Sequence, residues 1–523
     1  MINSEDIYFF LRICVAAFFG LFLVLDRSFI NLFLNGRHDQ SYFLPFFFFF
    51  VCLMVLYAYI LYKEFNSQSA KICAVLFALA LLPRLFFLFY IDYIPVSDFL
   101  RYFEYGNNVL IGEPSDYPGI PIFGVLAMQN AFLMLFFSST LFGFQLSHIL
   151  LGCVSCFMLY LILKQWDKRV AIISGFLFAV FPTAVLASVM TTNRNSALTF
   201  MLLSIYFFQK ALTNLENPKL NHFLKYAFLS SIFFMISHFF HPSGIIVLIS
   251  YGLFLVLYCF RQERFNKRLI LLFCSHLLLF VMLPPLLINF TYNRGIITER
   301  YTYTMFKQLA IGTSYPTGNL SSVRGSYENI DSIINLRTAY IDGEPTLIRS
   351  LDRRTQREVY MVLVNHNLSE LGVEGIVRLL RNKINTTWMV HDSYVNSLPW
   401  SGYLARLDRW YNEGLLTMEL DRHRQNLRTR IIPGLANLNT AFTQWIYILS
   451  IIGIVLRRKI EKEAPPHIFM FILGGWMLLS AVLQQQPRYR FFGMPMFIIF
   501  AAMGIVCVYD FWKTSQNKNM KKS

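Results

Sequence analysis

The sequence predicts an all-α polytopic membrane protein, a module of about twelve transmembrane helices with a small α-rich cap outside the membrane. Hydrophobic residues make up 56% of the 523 residues, charged residues only 15%, and the mean hydropathy is +0.48. Lipid can solvate so much apolar surface if each segment pairs its own backbone polar groups, as a helix does. A closed β-barrel would need short alternating strands, whereas this chain has long unbroken apolar runs such as 42–62.

Each long apolar run is assigned to one helix of about 17–25 residues. The predicted spans are 8–25, 42–63, 71–91, 145–164, 170–188, 195–211, 222–240, 243–260, 269–290, 438–456, 466–484 and 492–511. The short loops rich in Lys and Arg all fall on one side of this set, which the positive-inside rule assigns to the cytoplasm. Both termini are therefore predicted to be cytoplasmic.

One further apolar stretch, residues 119–141, is long enough to span the bilayer. A span at this position would move the basic loop at 164–169 to the outer side, against the positive-inside rule. We therefore predict a helix that lies in the outer interface or re-enters it.

Two polar regions divide the chain. The predicted organisation is an N-terminal helix pair (1–64), a transmembrane module (65–290) with a first external loop (92–144), an external loop domain (291–437), and C-terminal helices with a basic tail (438–523). The external domain is too long for a simple connection, and it is predicted to hold helices near 355–383 and 402–420.

The formal net charge of +16 does not indicate nucleic acid, because its Lys and Arg residues sit in short loops between apolar runs and no nucleic-acid-binding motif accompanies them. All eight cysteines lie within apolar runs, so packing is the predicted role of the Cys153–Cys156 pair.

The first external loop carries the best candidate for chemistry. Asp98 follows a predicted membrane exit by a few residues, and Tyr102, Phe103 and Tyr105 come directly after it. A carboxylate at this position can take a proton from an acceptor hydroxyl, and neighbouring aromatic rings suit a sugar or an isoprenoid chain. The alternative is a capping aspartate next to an interfacial aromatic belt.

The order of motifs resembles a known family. An apolar helix with a late Arg84 precedes Asp98, a Gly-x-x-x-x-Tyr-Pro run (112–118) and an apolar stretch that ends in Leu-Phe-Gly (141–143). This order is similar to the first-loop signature of the GT-C membrane glycosyltransferases, in particular the bacterial relatives of the dolichyl-phosphate-mannose protein mannosyltransferases.

The similarity continues downstream of the first loop. Residues 171–208 resemble the family's two short helices broken at a proline, here Pro182, and 377–400 and 484–496 resemble its later external segments.

The resemblance implies a polytopic helical fold, a donor sugar carried on a polyprenyl phosphate, and an acceptor glycan, lipid or protein of the cell envelope. It implies Asp98 as general base in a single inverting displacement at the extracytoplasmic face of a bacterial inner membrane. The leaving phosphate must then be held by cations or amide donors.

The candidate substrate-binding residues are Arg84, Tyr102, Glu104, Arg194, His238, His241, Lys383, Arg488 and Arg490. The arginines and Lys383 can instead be interfacial or structural residues, and the two histidines can be helix-capping groups near Pro242. A further run of four arginines at 422–430 is another candidate for holding the phosphate, but anchoring to lipid head groups is the favoured interpretation.

One motif departs from the family pattern. Many members carry an acidic residue in the second external loop, whereas this chain has Asn193 and Arg194 there. We therefore predict an enzyme without a bound metal, with a divalent cation as the alternative.

Two other functions remain open. A polysaccharide polymerase or ligase of the O-antigen type also combines about a dozen helices with a large external loop, and it would rely on Arg and His of that loop in place of Asp98. A lipid-linked-sugar flippase or transporter would show inverted repeats and charged or broken helices at mid-membrane.

Overall fold

A computed structural model describes residues 69–91, 98–114, 122–137, 140–215, 220–241, 244–262, 267–296, 338–341, 344–347, 353–384, 402–456, 468–469, 471–476 and 491–520. The predicted spans at 8–25 and 42–63, much of that at 466–484, and the side chains of Asp98, Lys383, Arg488 and Arg490 lie outside the described residues.

The first part of the described chain is a succession of helices. They are α1 (Ser69–Ile91), α2 (Asp98–Ile111), α3 (Ile122–Phe137), α4 (Leu141–Leu163), α5 (Lys168–Val180), α6 (Pro182–Val189), α7 (Asn193–Thr213), α8 (Leu220–Phe240), α9 (Gly244–Gln262) and α10 (Lys267–Asn293).

The second part contains the external domain and the C-terminal helices. Its elements are β1 (Thr338–Ile341), β2 (Glu344–Leu347), α11 (Arg353–Ile384), α12 (Gly402–Asn412), α13 (Met418–Asn426), a π-helical turn (Leu427–Ile431), α14 (Ile432–Leu456) and α15 (Met494–Met520).

Within the described residues, six helices are long and apolar enough to cross a membrane, and the bent pair α5–α6 makes a seventh. The described helices confirm a polytopic helical membrane protein, while the count of twelve stays a prediction. The α5–α6 pair bends by 55° at the predicted Pro182 break. The break arises because Pro182 has no amide hydrogen and starts a new helix, while Phe181 is extended (φ −63°, ψ 115°).

Neighbouring helices approach closely where they carry small residues. Ser450 in α14 donates a 2.6 Å hydrogen bond to the carbonyl of Phe497 in α15. A Cβ added to Gly453 would lie 2.8 Å from the amide nitrogen of Gly504. Close backbone approach through glycine and serine is how membrane helices gain packing energy without a hydrophobic driving force between them.

The external domain departs from the sequence prediction in two places. The strands β1 and β2 form an antiparallel hairpin that was not predicted, although the intervening sequence Asp342-Gly343 is a strong hairpin signal. The helix predicted at 402–420 is two helices, α12 and α13, separated by a turn in which Gly414 has a φ of 68°.

The predicted lipid-anchor role of the 422–430 arginines is only partly matched. Arg424 and Arg428 both pair with Asp408 of α12, and the Arg424 guanidinium lies 3.9 Å from the centroid of the Tyr411 ring. These two arginines therefore join α12 to α13 and to the π-helical turn.

Candidate functional site

The helix α2 begins at Asp98, so its backbone starts where the sequence predicted the catalytic loop. An aspartate in a first helical turn is favoured by the helix dipole, which keeps the capping interpretation open beside the catalytic one. Tyr102 is half-buried and Glu104 is exposed. Of these two substrate-binding candidates, Tyr102 is the one that the packing places inside the protein.

The helices α2 and α3 pack tightly at this point. The Asn130 Nδ2 donates a 2.9 Å hydrogen bond to the backbone carbonyl of Tyr102. One turn later, a Cβ on Gly106 would lie 2.8 Å from the sulfur of Met134 and 3.0 Å from the Cβ of Asn130. Glycine at 106 therefore permits a close approach that fixes the orientation of α2.

Hydrogen bonds link α3 to the end of α8 and, through α8, to the start of α7. Gln129 Nε2 donates to the carbonyl of Ile236 in α8 at 3.3 Å, and the neighbouring Ser237 donates to the carbonyl of Ala197 in α7 at 2.7 Å. The last turn of α8 and the first turns of α7 thus lie beside α3.

The helix α4 completes this end of the bundle. Its Gln145 donates to the carbonyl of Val189, the last residue of α6, at 3.3 Å. Its Phe144 ring lies 5.9 Å from the ring of Phe103 in α2. We call the region where α2, α3, the first turns of α4 and α7, and the last turns of α6 and α8 meet the site end of the bundle.

The turn between α6 and α7 is strained and buried. Thr191 has a φ of 53°, a left-handed conformation that is unusual for a β-branched residue, and it is fully buried. Thr192 steadies the turn by donating to the carbonyl of Ala187 at 3.0 Å. Backbone strain of this kind costs about 1–3 kcal/mol and is concentrated at functional sites.

Arg194 lies in the first turn of α7 and is 8% exposed. A cation in the first helical turn is opposed by the helix dipole, and burial of its charge carries a further cost. The placement is understandable if an anion binds nearby, because the helix N-terminus and the guanidinium then act on it together.

The two histidine candidates occupy different surroundings. His238 is buried beside the Phe280 ring at 5.0 Å, and a Cβ on Gly244 would come within 2.8 Å of its Nδ1. The His241 ring lies 4.8 Å from that of Phe492, which stacks on Trp476 at 5.0 Å. Phe492 follows Arg490 by two residues in the sequence, while Arg488 and Arg490 themselves lie outside the described residues.

Arg84 lies among the helices and is fully buried. Its Nη1 donates to the carbonyls of Ala80 (2.7 Å) and Ala179 (3.1 Å), and its Nε donates to the Ser188 hydroxyl at 3.1 Å. Because Ala179 belongs to α5 and Ser188 to α6, one guanidinium holds both halves of the bent pair. These contacts indicate a positioning role; the predicted substrate contact remains untested.

Several buried polar atoms at the site end have no hydrogen-bond partner among the described residues. They are Gln129 Oε1, Asn130 Oδ1, His148 Nε2, Thr191 Oγ1, Asn193 Oδ1 and His238 Nδ1. Native interiors leave few such atoms unpaired, so a group of them points to a bound water or a ligand.

Only part of this set was predicted from the sequence. Asp98, Tyr102, Arg194, His238 and His241 were predicted, and the packing gathers the backbone start of α2 and the other four residues at the site end or beside it. Gln129, Asn130 and His148 were missed, although each is a polar residue in an otherwise apolar helix, which was the available signal.

No group of three or more His, Cys, Asp or Glu side chains suited to a metal ion occurs in the part of the chain that the structure describes. The side chain of Asp98 is not among those described, so the metal question stays a prediction.

Comparison with solved structures finds membrane oligosaccharyltransferases. The Archaeoglobus fulgidus oligosaccharyltransferase in the apo form matches with a TM-score of 0.49 and 13% identity, over 87% of this chain and 52% of that one. The Archaeoglobus fulgidus enzyme in complex with an inhibitory peptide and a dolichol-phosphate matches with a TM-score of 0.45 and 13% identity, over the same shares. The chain therefore spans about half the length of these structures. Among curated proteins, no match is found.

Comparison with protein families finds one match. Residues 121–288, from α3 to α10, match the family model of the dolichyl-phosphate-mannose-protein mannosyltransferases. The match begins after Asp98, so it covers the helices that form most of the site end without testing the predicted base. It supports the resemblance drawn from the sequence: residues 121–288 are similar to the dolichyl-phosphate-mannose-protein mannosyltransferases, which is a similarity over about a third of the chain.

Proposed function

We propose that this protein is a membrane glycosyltransferase that moves a sugar from a polyprenyl-phosphate donor to a cell-envelope glycan, lipid or protein. The observation that carries the proposal is the convergence at the site end. The start of α2, the strained 190–192 turn, the buried Arg194 and the C-terminal end of α8 meet there, and unpaired buried polar atoms surround them.

The reaction is a single displacement. The acceptor hydroxyl oxygen attacks the anomeric carbon while the Asp98 carboxylate takes its proton. The bond between the anomeric carbon and the phosphate oxygen breaks, its electron pair leaves with the lipid phosphate, and the anomeric configuration inverts. Arg194 and the first amides of α7 stabilise the additional negative charge on the departing phosphate.

The charge distribution of the sequence supports the membrane orientation that we propose. The site end includes the end of α8 and the starts of α4 and α7, all of which the positive-inside rule predicts to lie opposite the basic loops. The active site then faces the outside of a bacterial cytoplasmic membrane, with both termini in the cytoplasm.

The deciding experiment replaces Asp98 with Asn in the purified full chain, assayed with polyprenyl-phosphate sugars in detergent and without an ion gradient. Loss of a general base is expected to lower kcat by about 10²–10⁴-fold while thermal stability is kept. Glu113→Gln is the matched control, because this exposed carboxylate lies just after the same helix and its loss should change kcat less than about twofold.

Each other outcome has a defined meaning. Full activity in Asp98→Asn would refute the proposed base and favour the polymerase or ligase class. Sugar movement that needs a gradient and forms no new glycosidic bond would identify a transporter.

A further inference from the structure

The neighbouring residues Gln129 and Asn130 share an unusual hydrogen-bonding state. Each uses its amide NH₂ group to hold another helix: Gln129 binds the Ile236 carbonyl at 3.3 Å, and Asn130 binds the Tyr102 carbonyl at 2.9 Å. Each keeps a buried side-chain oxygen without a hydrogen-bond partner among the described residues. One N–H of each amide is thus engaged, whereas its oxygen accepts no hydrogen bond from the described residues.

This arrangement specifies the chemistry of a missing partner. The donor bonds fix the orientation of both amides, because only an amide nitrogen can donate to a backbone carbonyl. The remaining oxygens can only accept, so their complement is a group that donates hydrogen bonds. A phosphate oxygen does not donate, whereas a sugar hydroxyl does.

The location fits a sugar as well. Asn130 binds α2 four residues after Asp98, and Gln129 binds α8 two residues before His238. The pair therefore bridges the helix of the proposed base and the helix of the histidine candidates. Gln129 is partly exposed whereas Asn130 is fully buried, so the pair has an edge from which a ligand can approach.

We infer that Gln129 and Asn130 form the sugar-reading subsite of the donor pocket, in which their side-chain oxygens accept hydrogen bonds from hydroxyl groups of the transferred sugar. The inference rests on the proposed function, because it assumes a lipid-phosphate sugar as the ligand. In this inference, residues of α3 recognise the sugar, whereas Arg194 and the first amides of α7 bind the phosphate.

The test compares lipids that differ only in the sugar. The full chain in detergent is titrated with polyprenyl phosphate and with polyprenyl phosphate carrying mannose, glucose or arabinose. The central variant is Gln129→Met, which keeps the side-chain length and removes the acceptor. Gln209→Met is the matched control, because Gln209 is also a buried glutamine with an unpaired oxygen but lies in the fifth turn of α7, far from its site end.

The expected result is a selective loss. Gln129→Met should weaken binding of the preferred sugar lipid about 5- to 10-fold, the effect of one neutral hydrogen bond, and change the affinity for polyprenyl phosphate less than twofold. Asn130→Leu should show the same selectivity, and Gln209→Met should change neither affinity. Thermal melting of each variant separates loss of fold from loss of contact.

Four outcomes would count against these ideas in distinguishable ways. Equal weakening for both kinds of lipid would make the amides structural only, and unchanged affinities would make the unpaired oxygens sites for water; either refutes the sugar subsite. A wild-type chain that binds no sugar lipid more tightly than polyprenyl phosphate also refutes it. A wild-type chain that binds no polyprenyl phosphate at all refutes the proposed function itself.

Discussion

Replacement of Arg84 with Met tests how the bent pair α5–α6 is held. Methionine keeps an unbranched side chain in the same space and removes every donor. The helix α5 ends at Val180 and Pro182 has no amide hydrogen, so carbonyls of the last turn of α5 lack donors from their own helix. Arg84 supplies one of those donors, to Ala179, and also binds Ser188 on the far side of the bend.

The size of the effect follows from two opposing contributions. Interhelical hydrogen bonds in membrane proteins contribute about 0.6–1.7 kcal/mol each, and a cation at a helix C-terminus adds about 0.3–1 kcal/mol. Against this, the charge is buried and its Nη2 has no partner among the described residues, so its removal relieves a desolvation cost. Because the guanidinium charge faces helix carbonyls, we expect the bonds to dominate and Arg84→Met to lower stability by about 1–3 kcal/mol.

Two measurements check this expectation. Thermal melting in detergent should show the loss, and hydrogen exchange should accelerate at the amides of residues 183–192 more than elsewhere. Arg84→Lys, which keeps a charge and one donor group, should recover part of the stability. An Arg84→Met protein that is as stable as the wild type, with unchanged exchange at the bend, would refute the reasoning.

Three further predictions concern other contacts. Gly453→Val should separate α14 from α15 because its side chain would meet the backbone of Gly504, and we expect a loss of about 2–4 kcal/mol in thermal or denaturant unfolding; a loss below 1 kcal/mol would contradict close packing. Asp510→Asn removes a bidentate pair with Arg169 (2.7 and 3.1 Å), but both side chains are partly exposed, so stability should fall by at most about 1 kcal/mol and less at high salt. Thr191→Gly relieves the positive φ, so we expect unchanged or higher stability with lower glycosyltransferase activity; unchanged activity would show that the strained turn has no catalytic purpose.

Local signals predicted the helices well. The apolar runs located α1, α4, α7, α8, α10 and α15 to within a few residues, because lipid requires an unbroken apolar segment of fixed length. The break at Pro182 was also predicted, since proline cannot donate a backbone hydrogen bond, although α1 and α10 continue through Pro83 and through Pro284 and Pro285. The hairpin β1–β2 was missed because Asp342-Gly343 sits between strands of only four residues each, too short for an alternating pattern to be recognised.

Contacts between distant residues were not predictable from the chain. Arg84 was grouped with the substrate-binding residues, yet its partners lie 95 and 104 positions away and become visible only when α1 is packed against α5 and α6. The hydrogen bonds of Gln129 and Asn130 could not be predicted either, because their partners lie on distant helices. A sequence shows that a side-chain amide occurs in an apolar helix. It does not show whether the NH₂ group or the oxygen of that amide already has a hydrogen-bond partner.

The contact between His241 and Phe492 has a consequence for how much of the chain is needed to build the site. The two rings are 4.8 Å apart but come from opposite parts of the sequence, one inside the region that the family model matches and one beyond it. A polypeptide cut off after α10 would still contain every helix of the recognised family region, yet the imidazole would lose its aromatic neighbours and be left open to lipid or water. The aromatic residues of the C-terminal part are therefore needed to complete the surroundings of His241.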